Sequence, residues 1–492
     1  MMEQDQKTKR WIIFFSAVFG LLLFSISVYR AAYYPVTFDE VSSIEIAGGN
    51  KVLEETANNH LLNTWFLRQE VRVFGTGNLF YLRLHSLFAH ILWLVFGTLL
   101  LFRLRNAVFI LAGFIFLNAD PYLNDFFFLA RGYGLSLGFV MLACWALAAA
   151  MDAKTNTKNI LFLLLSVTAG GLASTSNLTF IPMHAGILLA TGTIWLSRWR
   201  GQWKNSRPWL LLLLLFLPQT FWIMRLKIFS DLLATRNELY FGGRVGFMHD
   251  TIEKSITSAY YDPQYTYLPE GLKLALKAGI LLLLLLVLAG ALRDVISKRF
   301  TYTHVLLLVF AVYYLLIFGL HYFAGVLYPY YRGALPVHLS LLLPLVFGLH
   351  SLFSGQNKNR RVLQWSLVLL PAFFLLGNFI DKFDLLYCRE WACDKHNLDV
   401  MQKLTDESKK RGETGGIRLD CSWLNYPSMS FHSWEHFRGD FEPIPPEVQE
   451  HFTDTSFRYL YLQPTDKLPE NHGPVDTVAR YDDIGAILLR RK

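Results

Sequence analysis

The chain has 492 residues, 53% of them apolar and only 17% charged, with a net charge of +8 and a mean hydropathy of +0.31. Soluble domains carry about a quarter charged residues, so a deficit sustained over this length marks a bilayer as the main solvent and argues against a soluble enzyme. The basic excess does not mark a nucleic-acid surface either, because Lys and Arg fall in short clusters between apolar runs rather than along one face.

A spanning helix needs about 20 apolar residues to cross about 30 Å of hydrocarbon. Eleven segments approach that: Trp11 to Val28, Leu79 to Phe102, Ala107 to Ala119, Tyr133 to Met151, Ile160 to Leu172, Leu178 to Leu196, Pro208 to Met224, Leu272 to Leu292, Tyr302 to Leu320, Gly333 to Phe353 and Val362 to Ile380. The third and fifth are short. The first has 18 uncharged residues, long for a signal-peptide core, with no small-residue cleavage pattern after it, and reads as a retained anchor. With the N-terminus cytoplasmic, the inside connections carry 17 Lys and Arg against four acids, and each connection is net positive. The basic clusters are therefore a topology signal. An odd number of spans places the last 112 residues, from Asp381, on the opposite side from the N-terminus.

Three segments on that outer side carry chemistry-bearing residues. Ala31 to Asn78 is long for a connection and implies structure of its own, including a helix at the interface with Leu62, Trp65, Phe66 and Val73 at helical spacing. It opens with Thr37-Phe38-Asp39-Glu40. A carboxylate at the membrane surface acts as a general base on a hydroxyl, or binds a divalent cation such as Mg or Mn that holds a phosphate; the simpler alternative is an acidic pair that caps the following helix. The second segment is Asp120 to Gly134, with Asp125, Arg131 and Tyr133 in an aromatic setting. Two readings stand: these charges face a cavity, or Asp125 and Arg131 pair with each other. The third, His321 to Arg332, offers the Arg332 fork to a phosphate oxygen beside Tyr328 and Tyr331, or else only anchors the chain at the interface. An acid plus arginines at one surface suits an enzyme whose donor is a lipid phosphate. A transporter would place its ionisable groups in mid-span, where this chain has almost none.

The tail from residue 381 reads as a small extracytoplasmic α/β domain following a transmembrane domain over residues 1–380. It has a helix from Asp394 to Arg411, an alternating strand with Ile417, Leu419, Cys421 and Trp423 on one face, and strands at Tyr459 to Leu462 and Ala486 to Leu489. Cys388 and Cys393 stand close enough in sequence for a bridge; a metal site from Cys388, Cys393 and His396 lacks a fourth ligand at zinc-like spacing. His184 and His304 read as packed or capping histidines, and Asn177-Leu-Thr179 is a glycosylation sequon only where the host glycosylates.

The motifs together resemble the multi-spanning glycosyltransferases of the GT-C fold, the protein O-mannosyltransferases and bacterial aminoarabinose and polyprenyl-phosphate-sugar transferases. Asp39 and Glu40 match the acidic motif soon after span one. Asn59-His60-Leu61-Leu62 and Leu82-Arg83-Leu84-His85-Ser86 match the later loop motifs, with prolines missing after His60 and His85 in place of a proline. Asp125 with Ala130-Arg131-Gly132-Tyr133 matches a second acid ahead of an Ala-Arg-x-Tyr stretch, and Tyr328-Pro-Tyr-Tyr-Arg332 matches the phosphate-binding loop. The resemblance implies sugar transfer from a polyprenyl-phosphate donor to a glycan, lipid or protein acceptor on the outer face of a bacterial inner membrane, with inversion. Asp39, assisted by Glu40, would act as base; His60, Arg83, Asp125, Arg131, Tyr133, His321, Tyr331 and Arg332 would bind donor phosphate or substrate; Asp39, Glu40 and Asp125 are the candidate cation ligands. A lipid-linked oligosaccharide ligase or polymerase of the same fold, or a lipid or glycan transporter, is the alternative.

Overall fold

The computed structural model describes residues 2–52, 60–199, 209, 212, 219, 242–261, 269–297, 299–353, 361–412, 415–444, 452, 454–470 and 472–492, without the side chains of residues 2–9 and 361–364. Among the described residues, nine helices are long and apolar enough to cross a membrane: Arg10–Tyr33, Leu84–Leu104, Gly132–Asp152, Asn156–Ser176, Leu178–Arg198, Glu270–Ile296, Tyr302–Ala324, Tyr331–Phe353 and Trp365–Lys382. The chain is a multi-pass membrane protein. Nine of the eleven expected spans are accounted for. The seventh, Pro208 to Met224, lies outside the described residues but for three isolated positions.

The third expected span is a helix of 12 residues, Ala107–Asn118. At about 1.5 Å per residue it is too short to cross hydrocarbon. It stops at Asp120, whose carboxylate accepts the backbone N–H groups of Tyr122 and Leu123 and starts a second, short helix, Pro121–Asp125. Everything from Ala112 to Met141 is buried, so the irregular backbone around Asp125 is enclosed by protein rather than lipid.

Helices in lipid gain little from burying apolar surface and associate through close contact at small residues. Gly138 lies so close to the neighbouring helix that an added Cβ would stand 2.6 Å from the Ala89 carbonyl oxygen, and Gly186 meets Val309 in the same way at 2.3 Å. The outer helices keep apolar faces turned outward, with Leu281, Leu285, Leu288 and Leu292 exposed along Glu270–Ile296.

Helix α1 (Met2–Tyr33) runs beyond the expected apolar run and carries Arg30 in its last turn. After Tyr34-Pro35 the chain enters α2 (Phe38–Gly48) through a capping box: the Thr37 hydroxyl accepts from the Glu40 backbone N–H, and the Glu40 carboxylate accepts from the Thr37 N–H. The capping reading of the acidic pair thus holds for Glu40. Helix α3 (Leu61–Phe74) buries Asn63, Thr64, Leu67 and Glu70 and leaves Trp65 and Val73 exposed. The expected start of span two at Leu79 is broken at Arg83, which separates a short turn of helix, Leu79–Leu82, from Leu84–Leu101.

The tail forms a four-stranded sheet from β1 (Leu419–Cys421), β2 (Tyr459–Leu462), β3 (Val475–Tyr481) and β4 (Ala486–Arg491), in the order β1-β2-β4-β3, with β1 and β2 parallel and the other pairs antiparallel. Helices Asn397–Lys410 and Tyr426–Glu435 accompany it, burying Val400, Met401, Leu404 and Met429 with Leu419, Tyr459 and Leu488. The expected two-faced alternation in β1 is not observed. Asp420 and Ser422 are buried as well, and Asp420 accepts the Phe452 N–H. All four cysteines are free thiols.

Candidate active site

The three segments with Asp39, Asp125 and Arg332 meet the segment that follows the last span. Asp39, in the first turn of α2, is 5% exposed, and the groups around it converge on one oxygen. Arg332 donates from Nη1 to Asp39 Oδ2, the Trp391 indole N–H donates to the same oxygen at 3.2 Å, and Arg131 Nη2 stands 3.9 Å from it. Arg131 also donates from Nη1 to the Asp39 carbonyl (3.1 Å) and to the Ser43 hydroxyl (2.8 Å). The Arg332 guanidinium lies 5.3 Å over the Trp391 ring. Its side chain is 22% exposed against 2% for Arg131, so Arg332 faces out and Arg131 supports from within. Tyr331, just before it, takes a left-handed backbone (φ 48°), which costs an L residue roughly 1–2 kcal/mol.

Glu40 points the other way. It is sealed, and Arg83 grips it with two parallel bonds, Nε to Oε1 (2.9 Å) and Nη2 to Oε2 (2.7 Å). The rest of the Arg83 fork donates to the carbonyls of Ala31, Tyr34 and Pro35, so all five N–H donors are used inside the protein. Burial pushes the Glu40 carboxyl upward, but Arg83 and the Ala130 and Thr37 N–H groups outweigh it and hold the group below the ordinary glutamate range. The break in helix at Arg83 coincides with this clamp, which ties the end of α1, the start of α2 and Ala130 together.

Asp125 does not pair with Arg131. Its partners are Arg30 (2.8 Å), the Tyr261 hydroxyl (2.8 and 2.9 Å) and the Arg389 backbone N–H (3.1 Å). Burial pushes its carboxyl above the ordinary range against these donors. His60 occupies the N-cap position of α3 without a side-chain capping bond, and its ring lies 4.9 Å edge-on to Tyr133. Gly132 makes that approach fit: a Cβ there would come within 1.9 Å of the Ser176 carbonyl and 2.8 Å of His60 Cβ. Neither ring nitrogen of His60 finds a hydrogen-bond partner among the described residues. Burial, then the positive charge of Arg131 and Arg332 against the negative charge of Asp39, holds His60 well below the ordinary histidine range. His321 stacks on Tyr328 with 3.8 Å between ring centres and bonds the Val326 carbonyl, away from the Asp39 cluster.

The structure therefore groups Asp39, Arg131, Arg332, His60 and Tyr133, and sets Glu40 with Arg83 and Asp125 with Arg30 into two separate buried pairs. It adds residues that the sequence reading did not single out. Arg30 was hidden in the end of an apolar run. Glu390, Trp391 and Asp394 follow the last span, where Arg389-Glu390-Trp391 is a visible but unspecific cluster. Glu390 accepts from the Tyr122 hydroxyl, and Asp394 accepts the Phe38 N–H at 2.9 Å.

The donor set does not fit a divalent cation. Each of the three candidate acids faces an arginine, and no three His, Cys, Asp or Glu side chains converge among the described residues. His396 is engaged with Asp483 at 2.9 Å, apart from any cysteine cluster. A separate cavity of about 530 Å³ is walled by apolar residues of Glu270–Ile296, Leu335–Phe353 and Arg361–Lys382, with Asp120 and His338 at its lining and no residue of the Asp39 cluster among its walls. His338 Nδ1 lies 3.0 Å from Asp120.

The helical bundle and the sheet-containing tail packed on it have the GT-C fold, shown by superposition on solved structures. The chain superposes on ArnT from Cupriavidus metallidurans in the apo state with a TM-score of 0.51 at 13% identity over 98% of both chains, and on the same protein bound to undecaprenyl phosphate with the same score and identity over 97% of both. A structure of the Archaeoglobus fulgidus oligosaccharyltransferase in complex with Zn and sulfate aligns at a TM-score of 0.42 and 10% identity, over 90% of this chain and 67% of that one. No family model and no curated protein matches the sequence.

Proposed function

We propose that the protein is an integral-membrane glycosyltransferase that moves a sugar from a polyprenyl-phosphate donor to an acceptor hydroxyl at the outer face of the bacterial inner membrane, inverting the anomeric centre. The observation that carries this reading is the Asp39 carboxylate held by Arg131 and Arg332 at the membrane edge of a GT-C fold, a fold in which the C. metallidurans structure holds undecaprenyl phosphate. Asp39 takes the proton of the acceptor hydroxyl as its oxygen attacks the anomeric carbon from the face opposite the phosphate. The bond from that carbon to the phosphate oxygen breaks, and the polyprenyl phosphate leaves with the electron pair. Arg332, the exposed member of the cluster, meets the developing charge, with Arg131 behind it. The apolar cavity receives part of the lipid tail.

In this reading Glu40 and Arg83 hold the loop rather than act on substrate, Asp125 with Arg30 fastens the buried turn, and His60 and Tyr133 form one wall beside Asp39. Tyr331 presents Arg332, and His321 braces the same outer loop. No step runs through a metal. The N-terminus is cytoplasmic, and the tail lies on the outer side with the site.

The test is Asp39→Asn in the full chain reconstituted in nanodiscs, supplied with radiolabelled polyprenyl-phosphate sugars and envelope membranes as acceptor. Turnover falls by about 10²–10⁴ while undecaprenyl phosphate still binds. Transfer at the wild-type rate would remove Asp39 from the base role; donor translocation across liposomes without a covalent product would favour a transporter.

A further inference from the structure

Residues 387–394, which join the last span to the tail, run across the site instead of leading away from it. Tyr387 presents its carbonyl to Arg30 and to the Tyr261 hydroxyl; Arg389 gives its backbone N–H to Asp125 and its side chain to the Thr257 carbonyl (2.6 Å). The Trp391 carbonyl accepts from the Tyr34 hydroxyl (3.0 Å), and Asp394 closes the run on the Phe38 N–H. The turn Arg389–Asp394 is helical except at Trp391 (φ −128°, ψ 37°), and at that kink the indole enters the cluster, 3% exposed. Its N–H meets Asp39 Oδ2, its face lies under the Arg332 guanidinium, and its edge packs on Phe126 at 6.2 Å between ring centres.

We propose that Trp391 is a positioning residue for Asp39: it fixes the rotation of the carboxylate and the place of Arg332 together, and so makes the segment after the last span part of the catalytic apparatus. Two donors from distant parts of the chain, Arg332 and Trp391, share one carboxylate oxygen, and the Arg131 guanidinium stands 3.9 Å from it. With Oδ2 pinned, the direction of the other oxygen is set. Arg332 alone, on a partly exposed loop, would leave that angle to the motion of its own long side chain; a rigid indole anchored in the tail removes this freedom. The inference rests on Asp39 acting as base, and the experiment below separates the two.

Replacement of Trp391 by the isosteric benzothienylalanine deletes the N–H and keeps the ring; Trp391→Phe deletes the N–H and part of the ring. Both are made in the full chain and assayed as for Asp39→Asn. Loss of a positioned donor lowers kcat about tenfold with the KM for the lipid donor unchanged. A hydrogen bond donated to a carboxylate favours its charged form, so the acid limb of the kcat/KM profile also moves to higher pH. Arg131, Arg332, His60, Asp394 and Cys393 also act on Asp39 and are unchanged in both variants. Wild-type kcat and an unmoved acid limb in the benzothienyl variant, with Asp39→Asn inactive, would overturn the positioning role and leave the base intact. Wild-type transfer by Asp39→Asn would sink the underlying reading instead. A Trp391→Phe protein that does not fold leaves the isosteric variant to decide.

Discussion

Arg83 holds Glu40 through two parallel hydrogen bonds across 43 residues of sequence, with both side chains shut away from solvent. Breaking a buried pair from one side strands an uncompensated charge, at a cost of about 3–5 kcal/mol. Glu40→Gln and Arg83→Ala should therefore lower the unfolding temperature in detergent while turnover per folded molecule stays within a few-fold. A stable Glu40→Gln protein without turnover would instead return Glu40 to the chemistry. The pH dependence has a definite sign: the Glu40 carboxyl is held below its ordinary value, so its contribution is present above the ordinary glutamate range, about 4.3, and disappears as pH falls through and below it. The Glu40→Gln protein should lose less stability over that acid interval than the wild type.

Asp394 has the opposite sign. Burial raises its carboxyl well above the ordinary range, and the Asp39 and Glu40 charges add to that, against hydrogen bonds from the Phe38 N–H and Asn397. The folded protein favours the protonated form, so stability falls as pH rises from the ordinary aspartate range toward the folded value. Asp394→Asn keeps an acceptor for Phe38 and removes the charge. Its unfolding temperature should match the wild type in acid and exceed it near neutrality, read by thermal denaturation across pH. A variant less stable than wild type at pH 7 would mean that Asp394 is ionised and needed as such.

Asp39 was legible because charged residues are sparse near the ends of the spans, so an acid about ten residues past the first apolar run stands out. Its partners were less so: Trp391 is 352 residues away in sequence, and no local period encodes a bond of that reach. Arg30 was concealed by position, since an arginine closing an apolar run reads as an interfacial anchor until its buried acid is seen. The short helix Ala107–Asn118 was read as a span because composition reports lipid-like burial and cannot distinguish lipid from protein around it. In the tail, the helix at Asn397–Lys410 was legible from Leu398, Met401 and Leu404, of which Met401 and Leu404 are buried and Leu398 is exposed, whereas β3 was not, because its residues are mostly half-buried on both faces.

Burial and the arginines hold His60 well below the ordinary histidine range, so its ring should be neutral at working pH. With side-chain ¹³C labelling, its ring signal should not titrate between about pH 5 and 8, the interval where an unperturbed histidine changes charge. A phosphate anion brought beside Arg332 opposes the same arginine field. Added undecaprenyl phosphate should therefore raise the His60 titration, whereas a neutral polyprenol should not. A ring that titrates near 6.5 without ligand would show that His60 is open to water.

Gly279 sits in the wall of the apolar cavity, within Glu270–Ile296, and a Cβ built on it meets no atom within 4 Å. A glycine inside a helix costs roughly 0.5–1 kcal/mol relative to alanine, so Gly279→Leu should raise or preserve the unfolding temperature. The added side chain occupies volume that the lipid tail would otherwise take. If the tail lies there, affinity for undecaprenyl phosphate should fall about tenfold, or about 1.4 kcal/mol, in direct binding to the purified protein. The two readouts move in opposite directions, which separates loss of the binding volume from general damage. Undiminished affinity in a well-folded Gly279→Leu protein would place the tail elsewhere on the bundle and leave the cavity without a part in donor binding.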